Sequence, residues 1–239
     1  MSNIIKATFI TATLLFSFNS FALKWDTQRK NMKKLVLEGH KALTSYTNAR
    51  KHIMQKLHLG NDTWGYYVKD VYCNERVRQK VGPKKMPSHT VINVEHTWPQ
   101  SRFNKSKSKS VQKADLHHLF PTDSVANSTR GNHKFGDVRY GSSVGNCNDS
   151  KFGQITSGDE LVFQPPREHR GNVARALFYF SIRYDIDIPD YEEEMLMKWH
   201  RQDPVDAFER SRNEAISKIQ GNRNPFIDRP YNAQLISDF

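Results

Sequence analysis

The sequence predicts an α+β fold in a single mixed domain, on three observations. Apolar residues recur at helical spacing towards both ends of the chain, and strand-like runs of β-branched and aromatic residues lie between them. No repeat or linker divides the chain. Its 239 residues, 37% hydrophobic and 11% aromatic with 10 prolines, can bury a sizeable core without being driven into disorder.

In chain order, Met1 to Lys6 is a short basic leader, Ala7 to Phe18 an apolar run, and Ser20-Phe21-Ala22 puts small residues at the positions a signal peptidase inspects. The expectation is a signal peptide over residues 1–22, cleaved after Ala22, and a domain over 23–239 that is periplasmic or secreted. The apolar run is shorter than the roughly 20 residues of a bilayer span, so no membrane span is expected. Tyr46, Ala49, Ile53 and Leu57 predict a helix from about Ser45 to Leu59, stopped by Gly60-Asn61. Trp64 to Val68 and Thr90 to Glu95 read as strands, the second ended by Pro99, which lacks a backbone donor.

The run Asn104-Lys105-Ser106-Lys107-Ser108-Lys109-Ser110 has nothing apolar to bury and reads as a flexible basic loop, either merely solvated or tracking phosphates. Residues Asp123 to Arg130 read as a helix capped by Thr122 or Asp123. Gly136 to Gly158, dense in Gly, Ser, Asn and Asp, reads as irregular loop pinned by Cys147. Val173, Leu177, Phe180 and Tyr184 share one face of a further helix, and Asp203-Pro204 opens another that closes at Gly221.

Lys and Arg number 36 against 25 Asp and Glu, a formal net charge of +11. Such a surface attracts polyanions at long range. Yet no helix-turn-helix or zinc finger is recognisable that would read bases. Cys73 and Cys147 are the two cysteines. In an oxidising compartment a disulfide between them is expected, two separate buried thiols being the alternative; closing so long a loop would contribute on the order of 4 kcal/mol.

The chemistry concentrates in the middle: Glu95-His96-Thr97-Trp98-Pro99, then Asp115-Leu116-His117-His118-Leu119-Phe120-Pro121, then Asn127 and Arg130-Gly131-Asn132. A phosphodiester repels nucleophiles, so its hydrolysis needs an activated water and a cation against the developing charge. His96 suits the first task if a neighbouring carbonyl or carboxylate fixes its tautomer. Glu95 and Asn127 suit the second, as hard oxygen ligands for one Mg²⁺, which keeps several waters; Mn²⁺ or Ca²⁺ can substitute in binding. Adjacent residues of a regular strand point to opposite faces, so Glu95 and His96 can share a site only if the strand twists or ends there. Asn127 on a helix would complete the site as strand, turn, strand, helix.

These motifs, with Glu168-His169-Arg170-Gly171-Asn172-Val173-Ala174-Arg175-Ala176 and Gly221-Asn222-Arg223-Asn224-Pro225-Phe226, resemble bacterial endonuclease I, the periplasmic and secreted non-specific nucleases, over nearly all of residues 23–239. The resemblance implies a ββα-metal (His-Me finger) motif surrounded by helices, and a Mg²⁺-dependent, sequence-non-specific endonuclease that cuts DNA and RNA to leave 5′-phosphates. It implies His96 as general base, Glu95 and Asn127 as ligands of one Mg²⁺, and an arginine steadying the phosphate, for which Arg130 and Arg102 are the candidates. Asp115, His117 and His118 could orient a site residue or contact phosphate, or be purely structural. Some relatives carry several disulfides where this chain can form one. A monomer is expected. The competing reading is an exported protein that binds nucleic acid without cutting it; a zinc site built from His96, His117, His118 and His133 fits poorly, since neither cysteine lies near them in sequence.

Overall fold

The computed structural model describes residues 27–155 and 158–239, so the expected signal peptide lies outside the described residues. A helix across 27–37 (α1) buries Met32 and Val36. It is followed by α2 (Tyr46–His52), whose Ser45 cap accepts the Asn48 N–H. The expected helix does run on to Leu57, but over Ile53–Leu57 it widens into a π turn closed by His58 N–H on the Ile53 carbonyl at 3.0 Å. Ile53 and Met54 are buried there.

Strands β1 (Leu59–Asp62), β2 (Gly65–Lys69) and β3 (Arg76–Val77) form one antiparallel sheet. A second sheet pairs β4 (Ile92–His96) with β5 (Leu119–Asp123), antiparallel from Ile92 opposite Asp123 to His96 opposite Leu119. Between them lie a short helix α3 (Lys109–Ala114) and 3-10 turns at Gln100–Arg102 and Leu116–His118. Asp123 then caps α4 (Ser124–Arg130), accepting the Val125 and Ala126 N–H groups at 2.8 and 2.9 Å. Ala126 is buried on the face of α4 turned to the protein. Two antiparallel strands and a helix thus follow one another, the helix rigidly attached to the second strand by its cap.

The third sheet has the order β6-β9-β8-β7, from β6 (Lys134–Phe135), β7 (Val138–Val144), β8 (Cys147–Ile155) and β9 (Leu161–Gln164). This corrects the expectation of irregular loop over 136–158. Cross-strand pairing of β7 with β8, and β8 with β9, overrides the weak strand preference of Gly, Ser and Asn. Cys73 and Cys147 are disulfide-bonded, tying the segment after β2 to the start of β8.

Helix α5 (Arg167–Tyr184) corrects a second expectation. Val173, Leu177, Phe180 and Tyr184 are buried, but so are Ala174, Phe178, Tyr179 and Ile182, so the helix is covered all round rather than along one stripe. Its neighbours are α6 (Asp190–Gln202), α7 (Ala207–Gln220), the short α8 (Pro225–Asp228) and the third sheet. A Cβ on Gly171 would lie 2.0 Å from the Asp203 carbonyl oxygen, so only glycine allows this approach of α5 to the end of α6. Asp203 therefore ends α6, and α7 starts later than expected, capped by Asp206 on the Glu209 N–H at 2.7 Å. A second apolar cluster joins Ile53, Met54, Val94, Leu119 and Ile216 behind the β4–β5 pair.

The lysine and serine run is anchored rather than free. Asn104 donates to the Tyr184 carbonyl at 2.8 Å, Lys107 pairs with Asp185 at 3.0 Å, and Ser108 caps α3. No helix among the described residues is long and apolar enough to cross a membrane.

Candidate active site

Glu95 and His96 both reach one open cleft of about 490 Å³, with Asn127 and Arg130 of α4 on its other wall. The cleft sits at the end of β4, where Pro99 and the Gln100–Arg102 turn lead the chain away. Side chains that leave the last two strand residues on opposite sides of the backbone can therefore border the same space. No bulge is required.

Each side chain is held differently. The Glu95 carboxylate is 2% exposed, and its Oε1 accepts the Tyr72 hydroxyl at 3.0 Å and pairs with the Arg130 guanidinium at 2.9 Å. Burial pushes its pKa up, with Arg130 and Tyr72 pulling it partly back. The His96 ring lies 5.1 Å from the Tyr46 ring and edge-on to His118 at 5.4 Å. Its Nε2 sits 3.1 Å from the Lys113 carbonyl oxygen, which can only accept, so Nε2 carries the proton and Nδ1 is the basic atom. Burial lowers its pKa to about 4, so the ring is neutral at neutral pH. The Asn127 amide donates from Nδ2 to the Asn93 oxygen at 2.6 Å, which turns its own carbonyl oxygen away from Asn93.

One carboxylate oxygen outside the Tyr72 and Arg130 contacts, one oriented amide oxygen and a neutral imidazole form a hard donor set that suits Mg²⁺, an ion that retains several waters and needs few protein ligands. Of the described residues, Asp70, Cys73 and Cys147 also come within 4.8 Å of one another. That group does not suit a metal: the cysteines are bonded to each other, and Asp70 accepts the Tyr72 and Cys73 N–H groups.

The two arginine candidates are placed differently, Arg130 on the cleft wall and Arg102 outside the cleft lining. Arg130 is 1% exposed, and its guanidinium donates to the His96 and Thr97 carbonyls at 2.9 and 2.6 Å besides pairing with Glu95. It braces the end of β4 from within, while its Nε has no hydrogen-bond partner among the described residues and the side chain borders the cleft. Arg102 faces away from the cleft, stacks over Trp98 at 4.9 Å and grips Glu192 with two hydrogen bonds of 3.2 and 2.8 Å.

Asp115, His117 and His118 are interior. Asp115 accepts the Tyr179 and Tyr184 hydroxyls at 2.9 and 2.8 Å and the Gln220 amide at 3.0 Å. Burial alone would raise its pKa, but the histidine rings and these donors outweigh it and hold the carboxyl at about 2. His117 reaches the Asn222 carbonyl at 3.2 Å, and His118 the Gln112 carbonyl at 2.9 Å. Of the three, His118 touches the cleft residues, through its ring against His96. All three are buried, and none of them lines the cleft.

The sequence reading missed Tyr46, Arg50, Tyr72 and Asn93. Arg50 lines the cleft, is partly exposed and forms no ion pair with the described residues. Its one signal in sequence was its place within the helix expected from about Ser45 to Leu59. Tyr72 had none, because it sits in a turn far from Glu95 along the chain.

Comparison with known proteins matches the model of the Endonuclease I family over residues 27–231. The chain is similar to an extracellular ribonuclease of Bacillus subtilis (strain 168), 40% identical over 158 residues, 58% of this chain and 51% of the relative. It is also similar to an extracellular deoxyribonuclease of Aeromonas hydrophila, 33% identical over 129 residues, 52% of this chain and 53% of the relative. An endonuclease-1 of Buchnera aphidicola subsp. Acyrthosiphon pisum (strain APS) is 31% identical over 172 residues, 65% of this chain and 64% of the relative. The chain spans about half the length of the first two of these relatives.

Proposed function

The chain belongs to the Endonuclease I family, and we propose that it is a metal-dependent endonuclease that hydrolyses phosphodiester bonds of DNA and RNA without sequence preference, leaving 5′-phosphates. The observation that carries this reading is the fixed tautomer of His96. With Nε2–H committed to the Lys113 carbonyl, Nδ1 is a neutral acceptor at the cleft that holds Glu95 and Asn127. Relatives named as a ribonuclease and as a deoxyribonuclease support both polymers as substrates.

In this reading Nδ1 of His96 takes the proton of the attacking water as general base. Glu95, through Oε2, and Asn127, through its amide oxygen, would hold one Mg²⁺, which supplies charge stabilisation at the phosphate. Mn²⁺ or Ca²⁺ would compete for the same oxygens. Arg130 holds Glu95 and the carbonyls of His96 and Thr97 in place, and Arg50 on the cleft wall supplies a positive charge for the phosphate. β4, β5 and α4 are then the ββα-metal motif, set in one domain over residues 23–239 behind a signal peptide over 1–22. The protein would act as a monomer in the periplasm or outside the cell, as relatives named extracellular and periplasmic support.

The test is incubation of the protein with supercoiled plasmid and with structured RNA, in Mg²⁺ against EDTA, for the wild type and His96→Ala. Cutting that needs the metal and falls roughly 10²- to 10⁴-fold in the variant is the expected result, with binding retained. A gel shift without cutting under any metal would replace this reading with a binding protein that does not cut.

A further inference from the structure

A second set of residues suited to nucleic acid lies on the β1–β2 hairpin, and none of it lines the cleft. Trp64 stands at the turn between Asp62 and Gly65 and is 79% exposed. The Arg78 guanidinium lies 5.8 Å from the Trp64 ring centre and 5.2 Å from that of Tyr67, and Arg76 lies 4.6 Å from Tyr67. Ring, guanidinium, ring and guanidinium therefore alternate along one face of the hairpin. Asp62 pairs with Arg76 at 2.8 Å and with Arg78 at 2.7 Å, which holds both planar groups in position. Tyr67 lies across Gly60, where a Cβ would be 2.3 Å from its ring, so this opposite pair is also set.

Tyr67 and Gly60 open onto a cavity of about 610 Å³. Its walls are rings: His58 lies 5.8 Å from Phe120 and 5.3 Å from Phe208, and Phe120 lies 4.9 Å from His169. His169 is 4% exposed, and its Nε2 has no hydrogen-bond partner among the described residues. Lys69, Asn172 and Glu168 add polar groups around the rings. Apolar faces with donors and acceptors near them match one chemistry above others, that of a nucleobase, flat on both faces and polar at its edge. The size suits a small ligand. The carboxylates of Glu168 and Asp206 argue against a phosphate inside, which leaves the backbone to the arginines and to Lys69, a lysine without an ion pair among the described residues.

We propose that this ladder and its cavity form a second nucleic-acid site, one that holds an unpaired strand. Bases stack on Trp64 and on the guanidinium planes, and one base enters the cavity beside the exposed Phe208 ring. A duplex cannot use the cavity without the cost of unpairing and extruding a base, so the site discriminates in favour of single strands. The inference rests on the reading that this chain acts on nucleic acid, and it assigns to the protein a preference that the cleft alone does not explain.

The test is fluorescence anisotropy in EDTA, with labelled single-stranded DNA and RNA of about 20 nucleotides and the matching DNA duplex, for the wild type, Trp64→Ala, Trp64→Phe and Phe208→Ala. Trp64 and Phe208 are both exposed, and thermal unfolding checks that each variant is folded. Trp64→Ala and Phe208→Ala should each weaken single-strand binding roughly fivefold or more, duplex binding should stay within about twofold, and Trp64→Phe should keep most of the affinity. Unchanged single-strand affinity in both alanine variants, or an equal loss on the duplex, would overturn the proposal. Because binding is read without turnover, the outcome is independent of the cleft: a protein that never cuts can still show the single-strand preference, and one that cuts normally can still lack it.

Discussion

At the scale of single residues, the cleft works through partners that hold its side chains more than through the side chains alone. Tyr72 is the clearest case. Its hydroxyl and the Arg130 guanidinium both sit on Oε1 of Glu95, which leaves Oε2 as the oxygen for a cation. Tyr72→Phe should raise the Mg²⁺ concentration for half-maximal cutting roughly tenfold while the rate at saturating metal changes little. An unchanged Mg²⁺ titration would remove Tyr72 from this role. Arg130 also neutralises much of the Glu95 charge, so the cleft offers a cation little net negative charge of its own. Mg²⁺ should accordingly bind weakly to the protein alone and more tightly once a nucleic acid adds its phosphates, a difference that calorimetry with and without a non-cleavable oligonucleotide would measure. Equal affinity in both would count against a site completed by the substrate.

At the scale of elements, the decisive join is the one between β5 and α4. Asp123 is the last residue of the strand and the cap of the helix that carries Asn127, so one side chain joins the strand to the start of the helix. Asp123→Ala should cost about 1 kcal/mol of stability, read as a lower thermal midpoint, and should lower activity beyond what that loss explains, because α4 frays over the first turn, which leads to Asn127. A variant with the lower midpoint and full activity at low temperature would show that the Ala126 packing and the Asn127 and Arg130 contacts position the helix without the cap. The long loops that sequence suggested turned into elements for a related reason. Residues 138–155 form a hairpin because β9 offers β8 a second edge, and that edge comes from a segment beyond the expected loop.

At the scale of the whole molecule, buried histidines set the response to acid. Burial holds His117 at about 4, His118 at about 3, His169 at about 3 and His200 at about 4, all below the ordinary 6.5. The unfolded chain then takes up protons first as pH falls, so each histidine removes stability from about pH 6.5 downward through its folded value. Asp115, held at about 2, adds to the loss at still lower pH, while Glu95, raised by burial, works the other way. The thermal midpoint should therefore fall steeply between pH 6.5 and about 4; a flat profile there would mean that these rings are solvated in solution. The net charge of +11 makes a second expectation for the molecule as a whole, that affinity for nucleic acid falls linearly with salt on logarithmic axes.

The sequence by itself determined the mixed α and β character, the strand that carries Glu95, the helix that carries Asn127, and the family, because these depend on neighbours in the chain: β-branched runs, a cap, a proline and motifs in a fixed order. Only the tertiary structure decided which charged groups are free to act. Arg130, Arg102, Asp115 and His117 read alike in sequence, yet each is held by a partner brought from elsewhere, Glu95, Glu192, Tyr179 and Asn222, and of the four only Arg130 borders the cleft. Tyr72 is likewise brought to Glu95 by packing from a distant turn. A buried ionisable group must find its partner, and that partner is chosen by packing across the whole domain, which local spacing does not encode.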